Sequence, residues 1–211
     1  MLEIADYRKV ANIWSIKFAP LLERWGFVVR QFPYEGAEYK GENDFHCQSW
    51  DIDWQGDRLT FIEVYFKRYY LSGGAVGIKV AQLREIEFRK WAQSIYCTRR
   101  MGGEFGKEKL PEIAENLFRS VISWLVVGVI RGKLPHQLGA TIHDHIKPNI
   151  WVSYSFRLYK NCWLWKVQWE KEDTARKLIA KGKLDENPLE SYEILKRSLA
   201  LALYLRPFLL R

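Results

Sequence analysis

Cysteine is scarce in this chain of 211 residues. There are three, Cys47, Cys97 and Cys162, odd in number, far apart and without a CxxC pair. Such usage excludes a disulfide scaffold and fits a reducing compartment. Long apolar runs are missing too: none exceeds the length of "WLVVGVI" from Trp124 to Ile130, far short of the roughly 20 residues that cross a bilayer. The opening "MLEIADYRKV" is charged where a secretory signal needs an apolar stretch, so no transmembrane segment and a cytoplasmic location are expected. Catalytic signatures are equally thin. "LSGGAVGIK" lacks the Gly-Lys-Ser/Thr ending of a phosphate-binding loop, no Gly-x-Ser-x-Gly elbow occurs, and neither Cys47 nor Cys97 has a nucleophile's local signature. No cofactor is expected.

What is present is aromatic and basic. The chain holds 10 Trp, 11 Tyr and 11 Phe, and its net charge is +8 with a pI near 9.3. Residues 1–60 carry 7 Lys/Arg against 10 Asp/Glu, residues 61–110 carry 10 against 5, and residues 151–211 carry 12 against 7. A polyanionic partner is therefore expected to meet the part after residue 60, DNA and RNA being equally suited.

Helical periodicity runs over residues 3–26, with Pro20 dividing the helix and Gly26 stopping it. "FVVRQF" reads as a strand and residues 45–70 as a hairpin. A helix is predicted over 78–96, then a glycine-rich basic loop, "CTRRMGGEFGKEKL", then an apolar helix over 111–131 that begins at Pro111. A second hairpin occupies 150–169, and "EDTARKLIAKG" reads as a short helix. Asn187, Pro188 and Glu190 open a terminal helix that Pro207 ends. No linker interrupts the chain. The reading is a single α+β domain over residues 1–211, an antiparallel sheet built from two hairpins with helices packed on it. The element order is what a diverged helix-hairpin-helix duplication would leave, although the halves share no alignable pattern.

In the second hairpin a turn at Lys160-Asn161 sets Tyr159 opposite Cys162. Alternation then gives Val152, Tyr154, Phe156, Leu158, Trp163, Trp165, Val167 and Trp169 to a core face, and Arg157 and Lys166 to a polar one. In the first hairpin a two-residue turn at Gly56-Asp57 or Gln55-Gly56 separates Asp51 and Asp53, on the side of Ile62, Val64 and Phe66, from Glu63 and Lys67, on the side of Trp50, Ile52 and Trp54. Only a bulge or an odd loop would unite Asp51, Glu63 and Lys67. Tyr65 also stands where the Glu-x-Lys spacing of a restriction-type nuclease wants lysine, which makes a metal-dependent nuclease the less favoured reading.

His143 and His145 in "TIHDHIKPN", with Tyr192 and Lys196 one helical turn apart, resemble over two short stretches the HUH endonucleases, in which paired histidines hold a metal and a helical tyrosine attacks DNA. That family wants a bulky apolar residue between the histidines where this chain has Asp144, and no site is carried over.

Electrostatics supplies the leading reading. Arg89, Lys90, Arg99, Arg100, Lys107 and Lys109, together with Arg157 and Lys166, are the expected phosphate contacts, with Tyr69, Tyr70 and Tyr96 as stacking partners. The function expected is non-catalytic nucleic-acid binding, alone or as a subunit of a nucleoprotein complex. The competitor is a protein-interaction or assembly factor with an aromatic-rich surface, and membrane-surface binding through the leucine-rich "ILKRSLALALYLRPFLL" is a further, less favoured reading.

Overall fold

The structure is a computed structural model that describes residues 2–32, 45–69, 73–81, 105–132, 134, 141–147, 150–160, 162–171, 177–184 and 187–209. The class is α+β. The chain divides into two compact units, Met1–Ile122 and Ser123–Arg211, and each holds a four-stranded antiparallel sheet in simple sequential order.

The first unit opens with α1 (Ile4–Ile13), a π-helical turn (Trp14–Phe18) and α2 (Ala19–Arg24). Pro20 explains the interruption. It has no N–H to return to the preceding turn, and the widened turn just before it closes with the Ala19 N–H on the Trp14 carbonyl. Gly26, at φ +88°, ends α2. The Phe27 N–H reaches the Leu22 carbonyl and the Gly26 N–H that of Glu23, the pattern of a left-handed helix cap.

Strands β1 (Val28–Phe32), β2 (Phe45–Trp54), β3 (Asp57–Tyr69) and β4 (Gly73–Ala81) follow. Trp50, Ile52, Ile62, Val64, Phe66, Val76 and Ile78 form the buried face of this sheet. It meets the helical side through Trp14, whose ring lies 6.3 Å from that of Trp50 and 5.1 Å from that of Phe118. Residues 78–81, expected to begin a helix, belong to β4. Val76, Ile78 and Val80 alternate with small or polar residues, and pairing to β3 outweighs the local helical signal. The rest of that predicted helix lies outside the described residues.

The first hairpin departs from the expected register. Its turn is Gln55-Gly56, both at positive φ, with Trp54 opposite Asp57 and Asp53 opposite Arg58. A bulge then inserts Leu59, so Ile52 faces Thr60 and Ser49 faces Glu63. The extra residue moves every later side chain of β3 to the other side relative to β2. Asp51 and Asp53 thus share a face with Phe61, Glu63 and Tyr65, while Trp50 and Ile52 lie with Ile62 and Val64. The predicted segregation is overturned by one residue.

Helix α3 (Phe105–Arg131) spans the division between the units. It starts six residues earlier than predicted and keeps Pro111 inside. One backbone hydrogen bond is forgone there, while Leu110, Ala114 and Phe118 are buried on either side of it. The described stretch Glu108–Arg131 is long and apolar enough to cross a membrane by length and composition, and more than half of its most apolar 18 residues are buried within the fold.

The second unit adds β5 (Thr141–Lys147), β6 (Ile150–Tyr159), β7 (Cys162–Lys171), β8 (Lys177–Leu184) and α4 (Pro188–Leu209). The β6/β7 register is as predicted, Tyr159 opposite Cys162 and Arg157 opposite Leu164. Val152, Tyr154, Phe156, Leu158, Trp163 and Val167 are buried. Trp165 is only half-buried, its indole laid across Gly182 on β8. Residues 177–182 of the predicted "EDTARKLIAKG" helix belong instead to β8, and the rest of it lies outside the described residues. A bulge between Val167 and Gln168 sets the strand's apolar residues out of step, which hides its alternation. Asn187 caps α4 through its side-chain oxygen on the Leu189 N–H at 3.0 Å, and its amide donates to Glu190. Pro207 does not end this helix, which continues to Leu209. A proline so near the terminus breaks a single backbone hydrogen bond.

Candidate functional site

Three arrangements of chemically capable residues can be tested against geometry. The first is the acidic cluster of the first hairpin, now on one face. Arg30 stands opposite Asp51 but donates to Asp53 at 2.5 Å, and Arg58 stands opposite Asp53 but donates to Asp51 at 2.5 Å. Two buried aspartates are thus bound by two half-exposed guanidiniums. The bulge that joins the acids also brings their counter-ions, and one oxygen of each accepts a charge-assisted hydrogen bond, while Asp53 Oδ1 is buried with no hydrogen-bond partner among the described residues. Among the described residues no group of three or more His, Cys, Asp or Glu is placed to hold a metal ion.

The second is the His143, His145 and Tyr192 set. Both histidines lie on β5, opposite Ser153 and Trp151, and are exposed. Tyr192 lies on the other side of that sheet. It is 5% exposed, packed edge-on against Tyr154 and Phe156 with ring centroids 6.0 and 5.8 Å away. Burial, reinforced by the Asp144 carboxylate, pushes the Tyr154 phenol up to about 12 and raises that of Tyr192 further. The sheet separates this tyrosine from the histidines, and its environment keeps it protonated, so the likeness to the HUH arrangement does not extend into space. Lys196 instead lies 3.7 Å from Asp144, with its ammonium over the Tyr192 ring.

The third is the exposed face of β5–β8. The register gives it Arg157 and Tyr159 from β6, Lys166 from β7, and Lys181 and Lys183 from β8. All five side chains are exposed. Lys166 stands directly opposite Lys181, Lys183 is the next same-side position along β8, and Arg157 lies diagonal to Lys166. Facing residues of an antiparallel pair hold their Cβ atoms only about 4.5–5.5 Å apart, and like charges so placed repel. Among the described residues none of the four cations forms an ion pair. The acid that the register assigns to this face is Glu170, opposite Trp151 at the end away from Arg157. His143 and His145 stand on the same face, and the His145 ring lies 6.0 Å from that of Trp151.

Of the predicted contacts, Arg157 and Lys166 are brought together here. Lys109 is exposed on α3 in the first unit, and Lys107 belongs to the same helix rather than to a loop. Arg89, Lys90, Arg99 and Arg100 lie outside the described residues, as do Tyr70 and Tyr96. Sequence reasoning missed Lys181 and Lys183. Their alternation in "KGK", which marks one face of a strand, was readable only if the segment was taken as a strand. No family model, no curated protein and no solved structure matches this chain.

Proposed function

We propose that the protein is a non-catalytic nucleic-acid-binding protein, alone or as a subunit of a nucleoprotein complex, and that the exposed face of β5–β8 meets the polyanion. One observation carries the reading: Lys166 faces Lys181, flanked by Arg157 and Lys183, with no described acid between them. In the free protein this arrangement only costs repulsion. A bound phosphate backbone converts it into attraction and gains the entropy of released counterions.

The test is a salt-titrated binding assay on the full chain with single-stranded and duplex oligonucleotides. Binding should fall steeply with salt. Lys166→Ala combined with Lys181→Ala should weaken it for every sequence and flatten log affinity against log salt by roughly 1.4–1.8 units, the loss of two phosphate contacts. Folding should not suffer, because the double change removes a like-charge pair. Unchanged affinity and slope would remove this face from the interface.

A second reading, a protein-assembly factor, draws on Ile194 and Leu201, 71% and 58% exposed and two helical turns apart on α4. It predicts negligible affinity for any oligonucleotide and a protein partner retained at moderate salt.

A further inference from the structure

The charged face also carries information about the form of nucleic acid that fits it, an inference that rests on the reading just proposed. Tyr159 closes the same face, one same-side step beyond Arg157, with 54% of its surface exposed. The ammonium of the next residue, Lys160, lies 5.6 Å from the centre of its ring. The hairpin tip therefore presents an exposed aromatic ring with a cation over it, chemistry that suits a base and its phosphate. Toward the other end stand Trp151 and the His145 ring beside it. The cations lie between, at Arg157, Lys166, Lys181 and Lys183.

Along β6 the eight steps from Trp151 to Tyr159 span about 26–27 Å at about 3.3 Å per residue. That is room for a short run of nucleotides, within the range of sites on the order of 4–16 nucleotides that single-strand-binding folds cover. Duplex DNA fits this surface badly. Its major groove, about 12 Å wide, admits a helix or a two-stranded ribbon. Here the cations sit on β6, β7 and β8 of a four-stranded sheet whose outer strands lie about 14 Å apart, three spacings of about 4.8 Å. Base faces, moreover, are hidden inside a duplex and open in a single strand, and only open faces can use an exposed tyrosine.

We infer that the exposed face of β5–β8 binds single-stranded nucleic acid, with the backbone on Arg157, Lys166, Lys181 and Lys183 and a base stacked on Tyr159. The experiment uses the full chain with a fluorescently labelled homopyrimidine 15-mer and a duplex of the same length, each over a salt series. The single strand should bind at least about tenfold more tightly than the duplex. Its log affinity should fall with log salt with a slope whose magnitude is at least about 2.8, the share of this face's four contacts at about 0.7 each. Tyr159→Ala should weaken single-strand binding about 5- to 150-fold, the usual worth of one stacked base, and leave the slope unchanged. Tyr159→Phe, which keeps the ring, should restore it.

Duplex binding as tight as single-strand binding, or a Tyr159→Ala variant that binds like the parent, overturns this inference. Salt-dependent binding that Lys166→Ala with Lys181→Ala weakens would still support the broader reading. Absence of salt-sensitive binding to either probe overturns both.

Discussion

Trp163 and Trp165 stand two residues apart on β7 and point to the same side of the sheet, yet their surroundings differ. Trp163 is 1% exposed, within a core that includes Leu158 opposite it. Trp165 faces Gly182, the position where any added Cβ would come within 2.7 Å of the indole. Glycine is required there because the ring occupies the space a side chain would need. Alternation alone assigns both rings to the core, since period two reports a side of the sheet and not how deeply the neighbouring layer covers it. Trp163→Ala should therefore cost about 3–5 kcal/mol in chemical denaturation, as for other large buried aromatics, and Trp165→Ala distinctly less. Equal losses would mean that the two sites are covered alike.

At the scale of elements, what was legible depended on chemistry confined to neighbouring residues. Pro20 and Gly26 mark the break and the end of the first helix, and Asn187 with Glu190 marks the start of the last. The β6/β7 register followed from a turn flanked by strict alternation. Bulges defeated the rest. Leu59 transfers Asp51 and Asp53 to the side of Glu63, and the irregularity opposite Val167 and Gln168 disguises β8 as a helix. A bulge is chosen by how two strands pair, so neither strand alone announces it.

Contacts made across elements were also beyond the sequence, among them the one at Glu115 on α3. Glu115 accepts hydrogen bonds from Lys17 at 2.8 Å and from Arg119 at 2.6 Å. Partial burial acts to raise its pKa, but the two cations prevail and hold the carboxyl below its ordinary value of 4.5. A depressed carboxylate contributes stability that is complete above that value and is lost as pH falls through the folded-state pKa. Glu115→Gln should accordingly lower stability at pH 7 by less than about 1 kcal/mol, since the group is partly exposed. The difference from the parent should close below pH 4.5. A difference that persists unchanged into stronger acid would show that packing, not charge, is what the substitution removes.

At the scale of the whole molecule, the acidic balance of residues 1–60 and the basic excess after them confine the search for a polyanion contact without choosing its place. The choice came from register, which gathers residues as distant in sequence as Arg157 and Lys183 onto one face. Under the function proposed above, Arg99 and Arg100 are a second set of contacts, supported by their place in a glycine-rich basic stretch of the sequence. The two sets can be separated in one assay. Arg99→Ala with Arg100→Ala should flatten the salt dependence by roughly 1.4–1.8 units, as should Lys166→Ala with Lys181→Ala, and the quadruple variant by about 2.8–3.6. Phosphate contacts position a strand without reading it, so affinity should drop for unrelated sequences alike. Additive slopes would mean that both sets neutralise phosphates of the same bound strand. If the arginine pair leaves slope and affinity untouched, residues 97–110 leave the interface and the sheet face carries the binding by itself.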